Sequence, residues 1–257
     1  MWLGIETSSL VSSLALLEGD TLLGELTMQA GLTHSEQLVP HIELLLDQAQ
    51  VDKSDLTGIV VAIGPGSFTG LRIGMGTAKA MAYALHIPLY GAMTMDGMAY
   101  NVPYTDRLIS VLIDAQKKNV YEARYRWEGN QLLRIQDPIV KAAVDLVQEL
   151  EDQGQATLFL GDGIKRVQKL VTDRTSSVEE GVPLFTIGPA TVAIPRAGAM
   201  LLAARDFNGG LKPSDPMTMI PYYIRRSEAE VMWEDKHKDD PEALAQNPQV
   251  TVVETVK

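Results

Sequence analysis

The chain has 257 residues, 46% of them hydrophobic and 21% charged, which is enough to build the core of one large domain or of two lobes. Its formal net charge of −11 repels the phosphate backbone that dominates nucleic-acid affinity, and this excludes a stand-alone DNA or RNA binder. With no cysteine and four histidines, a disulfide framework, a thiolate nucleophile, thiolate zinc sites and iron–sulfur clusters are excluded, and carboxylates are left as the main metal ligands. The first residues, Met-Trp-Leu-Gly-Ile-Glu, lack the basic start and long apolar segment of a secretory signal. No run approaches the ~20 apolar residues that span a bilayer, so a cytoplasmic protein without membrane association is expected.

Residues 2–6, 11–17 and 21–28 are short apolar or alternating runs separated by Thr7-Ser8-Ser9 and Glu18-Gly19-Asp20, the pattern of a three-stranded antiparallel meander. Thr33-His34-Ser35-Glu36 has the form of a capping box, and Leu38, Ile42, Leu45 and Ala49 then recur at helical spacing. Pro40 inside this stretch predicts either a kink or a later helix start. A buried strand is expected over 57–63, then a glycine-rich loop, a helix over 69–86, a short strand over 88–91 and a helix over 93–100. Pro103 marks the expected crossing between lobes.

The second half repeats that order. Strands are expected over 108–113, 119–127 and 132–136, a helix over 139–150, a strand over 157–160, a helix over 164–171, and a last helix over 191–204 that closes this half. Two successive βββαβα units with mixed sheets and helices on their faces predict an α/β protein with a duplicated architecture. The expected division is 1–103, 104–226 and a tail over 227–257. The tail carries eight acids and three bases in 31 residues, a composition expected to be disordered.

Gly64-Pro65-Gly66-Ser67-Phe68-Thr69-Gly70-Leu71-Arg72-Ile73-Gly74-Met75-Gly76 lies between a strand and a helix, where phosphate-cradling loops occur. Leu71-Arg72 after Gly70 breaks the Walker pattern, and Thr69 breaks the dinucleotide spacing. Pro65 and Thr69 exclude a nucleophile elbow at Ser67. A tight turn with close packing is the main reading, and direct phosphate binding the alternative. Gly70, Gly74, Thr77 or Ala78, Met81 and Ala84 form a stripe of mostly small residues that admits a close neighbour, either the chain's own sheet or a partner. Arg72 and Lys79 border it.

Glu6-Thr7-Ser8-Ser9 resembles the phosphate hairpin of actin-like ATPases, with Glu6 in place of its aspartate and Ser8 in place of its glycine. The matching loop of the second half, Asp114-Ala115-Gln116-Lys117-Lys118, has the acid but no glycine after it. Both read as degenerate phosphate loops. Gly161-Asp162-Gly163 is a turn or a nucleotide contact. Lys117, Lys118, Arg124 and Arg126 form a small basic cluster, read as solvated strand charges or as a nucleic-acid contact.

These residues carry a family resemblance. Ile5-Glu6-Thr7-Ser8, His34-Ser35-Glu36 with Leu38 and Pro40, residues 64–76, and Pro221-Tyr222-Tyr223-Ile224-Arg225-Arg226-Ser227-Glu228-Ala229-Glu230 together resemble, in order over about residues 1–230, the TsaB (YeaZ) family of bacterial accessory subunits for threonylcarbamoyladenosine synthesis in tRNA. Ala115-Gln116-Lys117-Lys118-Asn119 departs from the basic sequence usual there. The resemblance implies the two-lobed actin-like and sugar-kinase (ribonuclease H-like) fold with its catalytic loops lost. It also implies a non-catalytic subunit that binds the related TsaD, which carries the metal and transfers the threonylcarbamoyl group to the adenosine beside the anticodon. The ATPase TsaE joins them, and tRNA is met through the complex.

By the same resemblance, no catalytic, cofactor-binding or metal residue is expected in this chain. ATP and metal would sit on the partner subunits, with a nucleotide at the TsaB–TsaD junction as one option. The partner interface, shared with a homodimer formed alone, would comprise Ser35, Leu38, His41, Ile42, Leu45, Gly70, Arg72, Ile73, Gly74, Thr77 and Met81. A glycoprotease-like peptidase or a stand-alone ATPase of the superfamily is the competing expectation, and it needs an activated nucleophile or a three-ligand metal whose spacing the sequence does not offer.

Overall fold

The computed structural model describes residues 1–29, 34–175, 183–206, 212–224, 232–233 and 236–238. Apolar alternation builds the first meander, β1 (Trp2–Glu6), β2 (Ser12–Glu18) and β3 (Thr21–Met28). Helix α1 (His34–Ala49) follows, then a 3-10 turn (Lys53–Asp55) capped by Asp52, strand β4 (Gly58–Gly64) and helix α2 (Phe68–Leu85). Strand β5 (Leu89–Met93) and helix α3 (Thr94–Tyr100) end the first half. The second half supplies β6 (Leu108–Asp114), β7 (Asn119–Glu128), β8 (Gln131–Ala142), α4 (Ala143–Asp152), β9 (Thr157–Leu160), α5 (Ile164–Thr175), β10 (Phe185–Ile187) and α6 (Ala197–Asp206).

The two halves match strand for strand. One sheet has the order β3-β2-β1-β4-β5 and the other β8-β7-β6-β9-β10. In each, the first strand is central, antiparallel to the second and parallel to the fourth. Leu3, Ile5, Leu14, Leu16, Ile59 and Val61 turn one face of the first sheet toward Leu38, Ile42 and Leu45 of α1 and Met75, Ala78 and Ala82 of α2. Phe159, Leu112 and Val120 receive Leu146 and Leu150 of α4 and Val167 and Val171 of α5 in the second.

The remaining helices are exchanged between halves. Met95, Met98 and Ala99 of α3 pack on Ile109, Val111, Ala123 and Tyr125 of the second sheet. Ala197, Met200, Leu201 and Ala204 of α6 pack on Ala15, Leu17, Val60 and Ala62 of the first. The expectation that the last helix closes its own half is therefore corrected. Its first turn is capped by the first meander: the Ala197 amide donates to Ser13 Oγ at 2.9 Å and the Gly198 amide to Glu25 Oε1 at 3.0 Å.

Several expected boundaries also move. Residues 139–142, expected in a helix, extend β8, where Ile139 and Val140 pair with Glu122 and Tyr121. Pro138 is tolerated because β8 is an edge strand, where a missing amide breaks no inner ladder. Helix α6 begins at Ala197 rather than near 191 because Pro195 holds the preceding residue out of the helical region. Strand β10 was not expected from three residues of alternation. Pro40 neither ends α1 nor delays its start, and its ring is exposed.

Met1–Pro221 form one compact unit and Tyr222–Lys257 a second. Thr33 of the capping box, residues 225–230 of the last motif and most of the tail lie outside the described residues. No described helix is long and apolar enough to cross a membrane.

Candidate functional site

The hairpin joining β1 to β2 is closed by the glycine loop before α2. The Ser8 amide donates to Glu6 Oε1 at 2.6 Å, the Ser67 amide donates to the Ser8 carbonyl at 2.6 Å, and Thr7 Oγ1 donates to the Gly70 carbonyl at 2.9 Å. A Cβ on Gly66 would strike the Ser8 carbonyl oxygen, one on Gly70 the Thr7 carbonyl oxygen, and one on Gly74 the Thr7 hydroxyl. Ser67 caps α2, its Oγ accepting from the Gly70 amide at 3.2 Å. The turn-and-packing reading of residues 64–76 is thus the correct one. The close neighbour of the small stripe at Gly70 and Gly74 is the chain's own hairpin.

The expected interface residues differ in where they lie: Gly70 and Gly74 are buried against Thr7, and Leu38, Ile42 and Leu45 lie in the core beneath the first sheet. Ile73 and Met81 are half-buried against the same core. The outward surface of the two helices is carried by Ser35, Val39 and Leu44 of α1 and by Arg72, Gly76 and Tyr83 of α2, with His41 and Thr77 at its half-buried margin. The Arg72 guanidinium lies 4.0 Å from the centre of the Phe68 ring. Nothing lies within 4 Å of where a Gly76 Cβ would stand. The His34 ring is tied to the hairpin, its Nε2 2.7 Å from the Ser9 carbonyl oxygen.

Glu6 and Asp114, the two acids expected in degenerate loops, both have partners within the chain. Glu6 is 1% exposed, and burial raises its carboxyl above the ordinary range, an effect the Ser8 and Thr94 groups only partly offset. Burial would also raise Asp114, but two bonds from the Arg166 guanidinium, 2.9 and 3.0 Å, and one from the Gln116 amide hold it below the usual carboxylate range. Gln116, Lys117 and Lys118 then wind left-handed, with φ of 61°, 47° and 69°. Without glycine such a run costs ~1 kcal/mol per residue, and it replaces the open amide cradle of a phosphate loop. These residues do not fit a metal-bound phosphate group. Among the described residues no three carboxylate or imidazole groups gather as a metal site.

The basic cluster disperses. Arg124 is buried and paired with Glu122 at 2.7 Å and Glu149 at 2.8 Å, so it is not a surface charge for tRNA. Lys117 and Lys118 are exposed, and Arg126 donates to Gln155. Gly161-Asp162-Gly163 is a tight turn under β6, where the Gly163 amide donates to the Leu112 carbonyl and Asp162 accepts from the Asp114 amide.

Sequence reasoning missed two features. Asp96 of α3 accepts from Tyr125 at 2.8 Å and twice from Arg134, at 2.6 and 3.1 Å, locking that helix to the second sheet. An acid inside Met-Thr-Met-Asp-Gly-Met was the available signal. The other is a cavity of about 150 Å³ between the hairpin, α3, the end of β6 and the start of α5, lined among others by Ser8, Thr94, Met98, Ile113, Lys165 and Ile194.

The model of the family described as TsaD, tRNA N6-adenosine threonylcarbamoyltransferase, matches residues 28–233. A Bacillus subtilis (strain 168) protein named tRNA threonylcarbamoyladenosine biosynthesis protein TsaB is 30% identical over 236 residues, which cover 92% of this chain and 99% of the relative. This chain belongs to the TsaB family. A TsaB protein of Escherichia coli (strain K12) is 28% identical over 153 residues, covering 59% of this chain and 66% of its own length. The solved structure of YeaZ from Pseudomonas aeruginosa superposes with a TM-score of 0.67 at 21% identity, covering 86% of this chain and 98% of that one. Another, described as an uncharacterized protein with similarity to peptidase YEAZ from Pseudomonas aeruginosa, reaches 0.71 at 22% identity over 87% and 99%. The TsaB fold here is the two-lobed actin-like and sugar-kinase architecture, α/β with duplicated mixed sheets.

Proposed function

We propose that this chain is a non-catalytic dimerisation subunit in the synthesis of threonylcarbamoyladenosine in tRNA. It binds a TsaD protein through the outward faces of α1 and α2 and holds that partner in its competent conformation. The Bacillus subtilis relative, matched over nearly its whole length, is named for that biosynthesis. The observation that carries the non-catalytic reading is the closed hairpin. Glu6 is buried on the Ser8 amide and Asp114 is held by Arg166, so neither acid of the ancestral site is left to orient a metal or a water.

In this reading ATP and metal belong to the partners, with TsaD as the transferase and TsaE as an ATPase. A nucleotide at the junction with TsaD would be held largely by TsaD. Alone, the chain pairs with a second copy through the same helices, and tRNA is reached through the assembled complex in the cytoplasm.

Reconstituted threonylcarbamoyl transfer to tRNA tests this. TsaD, TsaE and ATP with threonylcarbamoyl-adenylate should transfer only when this chain is added. Glu6→Gln and Asp114→Asn should support transfer within about twofold of the unaltered chain. Loss of transfer in either variant with its circular dichroism intact, or ATP turnover by the purified chain that either variant abolishes, would restore the ATPase reading.

A further inference from the structure

Lys117 and Lys118 leave the turn after β6, and Lys165 and Lys169 leave the first two turns of α5. All four are exposed, and among the described residues none of them makes a hydrogen bond or an ion pair. The two elements are joined to each other. Arg166 of α5 donates to both oxygens of Asp114, and the Asp114 amide donates to Asp162 Oδ1 just before the helix. Lys165 is near enough for its charge to act on the Asp114 carboxyl. The Ala143 amide donates to the Lys118 carbonyl, which brings the first turn of α4 and its exposed Asp145 to the same side. Five cations thus share a surface with three carboxylates, one of them taken by Arg166, on a molecule of net charge −11. Elsewhere Arg124, Arg134, Arg174, Arg196 and Arg205 are paired with carboxylates.

Folding alone argues against this placement. The N-terminus of a helix is the positive end of its macrodipole, yet α5 puts Lys165 and Arg166 in its first turn with no acid there. An external anion would relieve both that repulsion and the crowding of like charge. The spread of the charges selects its class. Lys165 and Lys169 lie one turn apart, ~6 Å along the axis, and Lys117 and Lys118 come from a different element, so a polyanion of repeated charge suits the four better than one small ion. Lysine meets phosphate as a point charge, which reads a backbone and not a base. The surface also begins beside the face assigned above to the partner: Lys165 lines the same cavity as Ser8 and Leu10, and the Ser8 carbonyl accepts from Ser67, the cap of α2. We propose that Lys117, Lys118, Lys165 and Lys169 receive the phosphate backbone of the tRNA when this chain is assembled with TsaD. The inference rests on the accessory reading and adds to it a place on this subunit where the RNA lies.

Fluorescence anisotropy of a labelled, unmodified tRNA tests this on the complex of the full chain with TsaD. Lys117→Gln, Lys118→Gln, Lys165→Gln and Lys169→Gln together should weaken tRNA about tenfold or more at ~0.1 M salt. They should also lower the slope of log affinity against log salt by about 3. Lys165→Gln with Lys169→Gln should weaken tRNA about threefold. Lys53→Gln with Lys212→Gln, at exposed positions outside the patch, changes the net charge equally and should leave affinity unaltered. The fourfold variant should melt no lower than the unaltered chain, because it removes cations from the start of α5, and light scattering should still show its heterodimer. An intact complex with unaltered tRNA affinity and salt slope would overturn the proposal and leave the accessory reading standing. So would equal losses from the two double variants. Loss of the heterodimer in the fourfold variant would make the patch a protein contact and also overturn it. Failure of the unaltered chain to bind TsaD would remove the accessory reading and this proposal together.

Discussion

At Glu6, buried at the end of β1, desolvation favours the protonated form of the carboxyl. Because the folded chain then holds a proton that the unfolded chain releases first, stability contributed at this site is present below the unfolded pKa and falls as pH rises through the window above it. Glu6→Gln keeps the acceptor for the Ser8 amide without the charge. Its melting temperature should exceed that of the unaltered chain at pH 7, with the gap narrowing as pH falls toward about 4.5 and absent below it. The glycines of α2 give a second contrast. Gly74→Ala places a methyl against the Thr7 hydroxyl and should cost about 1–3 kcal/mol, whereas Gly76→Ala meets open space and should gain about 0.5–1 kcal/mol in urea unfolding. The need for a close neighbour was legible in the spacing of Gly70 and Gly74. Its identity was not, because Thr7 lies 63 residues from Gly70 in the chain, and a small stripe looks the same from sequence whether it receives a partner or the chain itself.

Among the elements, the exchange of α3 and α6 between halves does most to bind the two sheets into one unit. The Asp96 pair with Arg134 at 2.6 Å and the Tyr125 bond fix α3, so Asp96→Ala strands a largely buried guanidinium and should cost about 3 kcal/mol. Asp137→Ala removes a partner of the same arginine that is 78% exposed, and should cost under about 0.5 kcal/mol in the same denaturation measurement. The existence and order of these elements were legible because hydrophobic period distinguishes strand from helix. Which sheet a helix covers was not, since an apolar face on α6 names no acceptor. The extent of β8 was lost for a related reason. Ile139 and Val140 satisfy a helical pattern as well as a strand, and only pairing with Tyr121 and Glu122 decides between them.

At the scale of the whole molecule, two five-stranded sheets of one topology are joined by exchanged helices, and Glu6 and Asp114 are held within the chain by the Ser8 amide and by Arg166. What the molecule still offers is surface. The net charge of −11 and the burial of Arg124 disfavour tRNA as a direct partner of the chain by itself, while Val39, Leu44 and Tyr83 leave apolar area on the outer faces of α1 and α2. Gly76→Arg is the clean disturbance of that surface, because it adds bulk where no atom of the chain stands and should itself raise helix stability by about 0.5 kcal/mol or more. The most direct measurement is light scattering on this chain alone, and mixed with the TsaD of the same organism, for the unaltered protein and for Gly76→Arg. A homodimer that gives way to a one-to-one heterodimer, with both lost in the folded Gly76→Arg variant, is the predicted result. A monomer that ignores TsaD, or a heterodimer that Gly76→Arg leaves intact, would contradict the account.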